Sequence, residues 1–343
     1  MVASPVDVSV LVPVLNEAAL IERTAEAIRS QRFDGTVELL FVDGGSDDGT
    51  RALLEELAAE DDSIRILDNL SRRVPNALNI GLREARGEFV ARMDAHTFYP
   101  PEYLATGIDR VRRGDVDWVS GPQIAEGVDA WSRSVALALS VWLGVGGARF
   151  RYPLDQEIEV DTGFTGVWRR STLDALGGWD EEWPVNQDSE LAARVRERGG
   201  RIVCVPEMAA RYVPRRGILG GLARQYWTYG QFRAKTSRHH PDSMRRSQLL
   251  PPALTAVAAA SVIAPRPLAR IARPVLAAYA LCLIGETARQ ASRGRRTDAA
   301  LLPAVLATMH FSWGAGFLLG CVKFGPPVDA IKRGARVRKP EYG

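Results

Sequence analysis

Three acidic side chains stand where short apolar runs of the sequence end: Glu17, Asp43 and Asp94. Each run predicts a buried strand, and the carboxyl ends of parallel strands meet at one edge of a sheet, where ligands bind in open α/β folds. Carboxylates can hold a divalent cation or take a proton from a hydroxyl group. We therefore expect a functional site at this edge. The alternative is that each carboxylate only caps a turn or a helix.

The elements that would position these residues alternate between strands and helices. The predicted strands are Val8–Pro13, Val37–Val42, Ile64–Asp68 and Glu88–Met93, with shorter ones at Trp118–Ser120 and Ile202–Val205. The predicted helices are Ala18–Gln31, Gly49–Ala59, Val74–Ala85 and Ser189–Arg198. This order predicts a Rossmann-like α/β domain, whose mainly parallel sheet carries helices on both faces. Gly144–Arg149 is predicted to be a mobile loop near the site or a plain turn.

The charge of the chain differs between its two ends. Residues 1–210 contain 22 basic and 36 acidic residues, whereas residues 211–343 contain 22 basic and 5 acidic residues. A basic segment can attract nucleic acid or anionic lipid head groups. Long apolar runs separate the basic residues, and the aromatic and basic residues do not interleave as they do in nucleic-acid-binding proteins. We therefore expect a membrane, and no nucleic acid, as a partner.

Three uncharged runs in the tail are candidates for membrane segments. Ser247–Pro265 has 19 residues, Pro274–Gly285 has 12 and Ala299–Val322 has 24. A spanning helix needs about 20 apolar residues, so the third run is long enough, the first is borderline and the second is short. Basic residues flank every run on both sides and give no clean orientation. Helices lying in the membrane interface, or a soluble helical domain, are the alternatives.

Three ordered motifs resemble those of family 2 glycosyltransferases with the GT-A fold. They are PVLNE at 13–17, VDGGSDDGT at 42–50 and ARGEFVARMDAH at 85–96, and the resemblance covers roughly residues 6–235. MDAHTFYP at 93–100 and GVGGARFR at 144–151 are similar to the exopolysaccharide branch of that family, of the succinoglycan type. The resemblance implies a nucleotide-sugar donor.

The resemblance also implies residues that bind the donor. Pro13 and Glu17 would line the nucleotide pocket, and Asn76 and Asn79 match a family position close to the donor. Asp43 would accept a hydrogen bond from the base, most simply from the imide N–H of uracil. A turn residue beside two glycines is the other interpretation of Asp43.

The third motif departs from the family pattern DxD, because the second carboxylate is replaced by His96. A neutral imidazole can ligate Mn²⁺, so Asp94 and His96 are the predicted ligands of a divalent metal, Mn²⁺ or Mg²⁺. In the alternative, His96 only hydrogen-bonds a phosphate or a neighbouring loop, and Asp94 contacts the ribose or a metal-bound water.

Asp188 matches the acidic residue that the family places before a helix, where it acts as general base in an inverting transfer. The alternative is that Asp188 is only the N-cap of that helix, with Glu190 in its first turn. Gln231 and Arg233 fall where processive relatives carry QxxRW, and would contact the diphosphate or the acceptor. The complete motif is absent, which favours transfer of a single sugar.

Aromatic and glycine residues between these motifs have two interpretations. The glycines of 162–166 could let the backbone approach a sugar closely, and Trp168, Trp179 and Trp183 could stack on sugar rings. The alternative for the tryptophans is an ordinary core position.

The sequence therefore predicts a GT-A catalytic domain at 1–240 and a hydrophobic, membrane-associated helical region at 241–343. Val8–Leu15 lacks the features of a signal peptide, so the catalytic domain is expected to face the cytoplasm. The expected reaction moves a hexose from UDP to a lipid-linked or saccharide acceptor with inversion. The alternatives are transfer onto polyprenyl phosphate, as in dolichol-phosphate-mannose-type synthases, and a non-catalytic membrane protein that binds nucleotide-sugars.

Overall fold

A computed structural model describes residues 6–214 and 221–335 of the chain. The chain forms two compact units. The first comprises Met1–Ile124 and Arg149–Tyr212, and the second comprises Ala125–Ala148 and Val213–Gly343. The predicted boundary near residue 240 stays a prediction.

The described elements are numbered along the chain. The strands are β1 Val8–Val14, β2 Val37–Asp43, β3 Ile64–Asp68, β4 Phe89–Arg92, β5 Thr97–Phe98, β6 Trp118–Ser120, β7 Gln123–Ala125, β8 Ile158–Glu159, β9 Gly166–Arg169, β10 Ile202–Cys204 and β11 Ala210–Tyr212. The helices are α1 Ile21–Arg29, α2 Thr50–Glu60, α3 Val74–Glu84, α4 Tyr103–Arg112, α5 Ala130–Leu139, α6 Trp142–Val145, α7 Arg170–Leu176, α8 Gln187–Glu197, α9 Ala223–His239, α10 Leu250–Ile263, α11 Arg266–Ser292, α12 Arg296–Ala299, α13 Leu302–Phe324 and α14 Val328–Ala335.

An eight-stranded sheet organises the first unit, in the order β3-β2-β1-β4-β9-β6-β10-β8. The strands β3, β2, β1 and β4 run parallel, and β9 is antiparallel to both β4 and β6. The predicted parallel α/β sheet is thus confirmed over its first four strands. A second, three-stranded sheet has the order β5-β11-β7.

Helices cover both faces of this sheet because successive strand side chains point to opposite sides. Val10 and Val12 of β1 lie in one buried cluster with Ile21 of α1 and Leu104 of α4. Leu11 points the other way, against α3, where a Cβ at Gly81 would come within 2.8 Å of its side chain. The predicted arrangement with helices on both faces is therefore confirmed.

Close packing of α9 on α13 organises the second unit. A Cβ built at Gly230 of α9 would lie 2.1 Å from the carbonyl oxygen of Trp313. Added Cβ atoms at Gly316 and Gly320 of α13 would lie 2.0 Å and 2.6 Å from the carbonyl oxygens of Trp227 and Gln231. Backbone therefore meets backbone along this pair, as in helix packing through a small-xxx-small motif.

Two helices of the second unit are long and apolar enough to cross a membrane, namely Ala269–Ser292 within α11 and Leu302–Phe324, which is α13. The run predicted at Ala299–Val322 is thus confirmed as a long apolar helix. The 12-residue run at Pro274–Gly285 is part of a much longer helix, because α11 continues through the charged residues on both sides of it.

The prediction of a loop over Gly144–Arg149 is partly wrong. Gly144 and Val145 end the short helix α6, and Arg149 begins a 3₁₀ turn. A Cβ at Gly144 would lie 1.9 Å from the carbonyl oxygen of Ala138, so close packing requires this glycine.

Candidate active site

The loops that follow β1 and β2 are joined by hydrogen bonds. Asn16, which has a positive φ of 57°, donates its amide N–H to Ser46 Oγ over 2.9 Å. Its side chain exchanges two further hydrogen bonds with Asp47, at 2.9 and 3.0 Å. The N–H of Glu17 donates to Thr50 Oγ1 over 2.8 Å. These contacts fix Glu17 beside the second motif.

Asp43 ends β2 and is buried. Its carboxylate accepts the Ser46 hydroxyl over 2.6 Å and the Ser46 N–H over 3.2 Å, and it lies 4.0 Å from the guanidinium of Arg51. Pro13 is the register partner of Val42, one residue before Asp43. The site edge of the sheet thus holds Pro13 and Asp43, and their contacts with a nucleotide stay predictions.

Glu17 and His96 are brought together although they follow different strands. Nδ1 of His96 lies 3.3 Å from Oε1 of Glu17, and the imidazole is 42% exposed. The loop that carries His96 is attached to α1, because the buried hydroxyl of Thr24 donates to the carbonyl oxygen of Ala95 over 2.5 Å. His96 therefore stands at the surface of the site beside a carboxylate.

Asp94 and Asp188 are connected by one buried arginine. Arg92 donates from Nε to Asp94 Oδ1 over 2.7 Å and from Nη2 to Asp94 Oδ2 over 3.1 Å. Its Nη1 donates to Asp188 Oδ1 over 2.5 Å. The backbone N–H of Asp94 donates to the hydroxyl of Tyr99 over 2.7 Å. The side chain of Asp188 is 19% exposed, so a substrate can reach it.

Asp188 lies inside the first turn of α8, and the N-cap of that helix is Asn186, with a positive φ of 60°. The interpretation of Asp188 as the N-cap is therefore wrong. Burial raises the pKa of Asp188 to about 6, Arg92 opposes this rise, and the neighbouring Asp94 carboxylate adds to it. A carboxylate with this pKa can accept a proton near neutral pH.

Two asparagines of α3 hold the segment that leads into α8. Asn79 donates to the carbonyl oxygen of Trp179 and accepts its N–H, both at 2.8 Å. The amides of Asn76 and Asn79 both donate to the carboxylate of Glu181. Asn76, predicted to bind the donor, thus contacts this segment, and its role toward a donor stays a prediction.

Sequence reasoning missed Arg92. Arg92 sits within an otherwise apolar strand, two residues before Asp94, and that spacing was the available signal. Gln231 and Arg233 lie on α9 of the second unit, where Arg233 is buried with a guanidinium nitrogen 3.5 Å from the carbonyl oxygen of Ser243. Their predicted substrate contacts stay predictions.

The three tryptophans of the segment 162–183 and the glycine Gly166 are buried in the core. Trp168, Trp179 and Trp183 are all buried, and the ring centroids of Trp168 and Trp179 lie 5.8 Å apart. A Cβ at Gly166 would lie 2.3 Å from Nε1 of Trp118. The core interpretation of the tryptophans is confirmed. Gly166 serves close packing against Trp118. An approach of the glycines of 162–166 to a sugar stays a prediction.

The predicted metal ligands Asp94 and His96 offer oxygen and imidazole donors, which suit Mn²⁺. Within residues 6–214 and 221–335, no group of three or more His, Cys, Asp or Glu side chains is arranged to hold a metal ion. The described side chains fit a cation only as part of a site that phosphate or water oxygens complete.

Comparison with known proteins relates the chain to sugar transferases. The family model described as Glycosyl transferase family 2 matches residues 9–177. The chain is 32% identical over 320 residues to the succinoglycan biosynthesis protein ExoA of Rhizobium meliloti (strain 1021), covering 90% of this chain and 93% of that protein.

Two further comparisons extend this likeness. The chain is 27% identical over 217 residues to a beta-monoglucosyldiacylglycerol synthase of Trichormus variabilis (strain ATCC 29413 / PCC 7937), covering 58% of this chain and 43% of that protein. Its fold is similar to that of the mannosyltransferase PcManGT from Pyrobaculum calidifontis, solved in complex with GDP-Man and Mn²⁺. The TM-score is 0.58 at 21% identity, covering 90% of this chain and 86% of that one. The predicted GT-A fold is thereby confirmed.

Proposed function

The chain belongs to the family 2 glycosyltransferases, and we propose that it transfers one hexose from UDP to a lipid-linked acceptor, with inversion, in polysaccharide synthesis. The observation that carries this proposal is the pair of carboxylates, Asp94 and Asp188, held together by the buried Arg92. The extensive likeness to a succinoglycan biosynthesis protein supports a role in polysaccharide or glycolipid synthesis.

Asp188 is proposed as the general base. Its carboxylate takes the proton of the acceptor hydroxyl, whose oxygen attacks the anomeric carbon from the face opposite the diphosphate. The new glycosidic bond forms as the bond from the anomeric carbon to the diphosphate oxygen breaks, which inverts the configuration and releases UDP. The partial exposure of Asp188 and its raised pKa support this role.

Asp43, Pro13, Glu17 and Asn76 are proposed to bind the nucleotide portion of the donor. Asp43 is buried, and among the described residues the hydrogen-bond donors to its carboxylate are the N–H and the hydroxyl of Ser46, so the carboxylate oxygens retain capacity for a base N–H. Gln231 and Arg233 are proposed to contact the diphosphate or the acceptor.

A divalent cation, Mn²⁺ or Mg²⁺, would be held by Asp94 and His96. When bound, it would neutralise the charge that develops on the diphosphate leaving group. The carboxylate of Glu17, 3.3 Å from Nδ1 of His96, is proposed to orient the imidazole toward the cation.

The apolar helices α11 and α13 are proposed to attach the enzyme to the membrane, with the catalytic domain, residues 1–240, on the cytoplasmic side. The surplus of basic residues after residue 211 supports this attachment, because anionic lipid head groups attract them. A tethered site suits an acceptor that is carried on a lipid.

The test is a screen of UDP- and GDP-sugars for nucleotide release by the full chain in detergent, with and without Mn²⁺. Asp188→Asn should lower release about 10²- to 10⁴-fold, the range that a general base contributes. Asp174→Asn, at an exposed position of α7, is the control.

His96→Ala should weaken the dependence of nucleotide release on Mn²⁺. A parent enzyme inactive on every donor would contradict the proposal, and a product with a single phosphate would instead assign the acceptor to polyprenyl phosphate.

A further inference from the structure

Arg92 is a charged side chain in a place where charge is costly. It is the last residue of β4, next to the apolar centre of the sheet, and only 4% of its side chain is exposed. A buried guanidinium persists only when its hydrogen bonds are satisfied by well-placed acceptors. Here the acceptors are Asp94 and Asp188, two residues of the proposed site.

The two carboxylates use different edges of the guanidinium. Asp94 takes the Nε and Nη2 edge in a bidentate pair, at 2.7 and 3.1 Å, and Asp188 takes Nη1 at 2.5 Å. Because the guanidinium is planar and rigid, its fork fixes the separation and the relative orientation of the two carboxylates.

The carboxylate of Asp188 depends on this contact. Over the described parts of the chain, Arg92 is the hydrogen-bond and ion-pair partner of the Asp188 side chain. Asp94 has a further anchor at its backbone, whose N–H donates to Tyr99. Loss of Arg92 would therefore release Asp188 more completely than Asp94.

We propose that Arg92 is a positioning residue, which sets the distance between the donor-side carboxylate Asp94 and the base Asp188 and so aligns acceptor with donor. This inference rests on the proposed function. Arg92 has no assigned contact with the reacting atoms and acts through Asp188. The geometry of attack is sensitive to such alignment, since small displacements of a catalytic group lower rates strongly.

The chain offers a matched control in Arg110 of α4. This arginine is also buried and also links two carboxylates, with Nε 2.7 Å from Glu157 and Nη1 2.6 Å from Asp115. It belongs to the same unit and lies outside the proposed site. Arg110→Gln should therefore lower stability without lowering the turnover of the folded enzyme.

The experiment is a double-mutant cycle on the full chain. For each variant we would measure the turnover of the donor sugar that the screen identifies. Circular dichroism would follow unfolding, to show that the variant is folded. Arg92→Gln should lower turnover about 10²-fold and Asp188→Asn about 10³-fold. The double variant should fall no more than about threefold below Asp188→Asn, because residues that act as a unit are not additive. Arg92→Lys keeps the positive charge between the two carboxylates, so this variant still tests the inference if Arg92→Gln does not fold. It should still lose about tenfold, since an ammonium cannot hold both carboxylates in a fork.

The possible outcomes separate this inference from the proposed function. An inactive parent overturns both. If the parent is active, two results overturn the positioning role alone. One is a loss of turnover in the double variant that equals the product of the two single losses. The other is an Arg92→Lys variant that turns over as fast as the parent. A loss of turnover in folded Arg110→Gln that equals the loss in Arg92→Gln would assign the effect to general stability and would also overturn it.

Discussion

At the scale of single residues, the site depends on how Asp188 is solvated. Most of this side chain is buried, and desolvation disfavours its charged form. Arg92 partly restores that form, and Asp94 works against it, which leaves the pKa at about 6. The residue is thus ionised, and able to take a proton, at neutral pH.

This balance predicts a pH dependence of turnover. A general base works in its ionised form. The value of kcat should therefore stay constant above the raised pKa and fall as the pH drops through about 6. The measurement is the pH profile of kcat in the full chain. An acidic limb near pH 4, the ordinary range for an aspartate, would contradict the role given to this carboxylate.

The residues of the site differ in how far the sequence could predict them. Glu17, Asp43 and Asp94 follow strands, so strand prediction alone brings them to one edge. Asp188 required the family resemblance, because it approaches that edge from a helix distant in sequence. Arg92 was missed, because its spacing from Asp94 gives no sign of its second partner, Asp188, which only the fold brings to it.

At the scale of elements, α3 supports the approach to α8. Asn79 holds both the N–H and the carbonyl of Trp179, as a neighbouring strand would. Gly178, with a φ of +73°, lies so close that an added Cβ would come 2.4 Å from Oδ1 of Asn79. The segment before Asp188 is thereby held by Asn79 and by the glycine beside it, with Asn76 adding a hydrogen bond to Glu181.

Asn79→Ala should therefore lower both stability and turnover. Losing two hydrogen bonds to a backbone that becomes unsatisfied should cost about 2 kcal/mol of unfolding free energy. Urea denaturation measures this change, and Arg83→Ala, at an exposed position of the same helix, is the control. Equal stability of the two variants would show that the segment holds itself in place.

The elements that the sequence predicted in the first unit lie within about three residues of their observed ends, because alternating β-branched strands and amphipathic helices have distinct periods. Other elements of this unit, such as α4, α7 and β9, were not predicted. Trp118–Ser120 is a strand with the predicted bounds. The tail was harder to divide, because helices such as α10 and α13 are apolar all round and carry no periodic signal. The helix α6 is too short to be read from periodicity.

At the scale of the whole molecule, membrane attachment through α13 requires that this helix contacts lipid. Leu318 of this helix is 39% exposed, and a charge there would be costly in hydrocarbon but tolerated in water. Leu318→Arg should reduce the fraction of protein recovered in carbonate-washed membranes. Leu70→Arg, at a leucine of the first unit that is 93% exposed, should leave recovery unchanged. Equal recovery of both variants and the parent would contradict membrane attachment through α13.

The glycine contacts between α9 and α13 determine how the enzyme can be shortened for production. A chain cut after residue 240 would keep α9 but remove α13, leaving the backbone around Trp227 and Gly230 and the side chain of Phe232 without their covering helix. Such a surface is apolar and prone to self-association. A fragment that ends near Tyr212 removes α9 as well, at the cost of Gln231 and Arg233. Its α5 then lacks α12, whose Asp298 pairs with Arg133. Comparing aggregation of the two lengths would therefore guide any effort to crystallise the catalytic part alone.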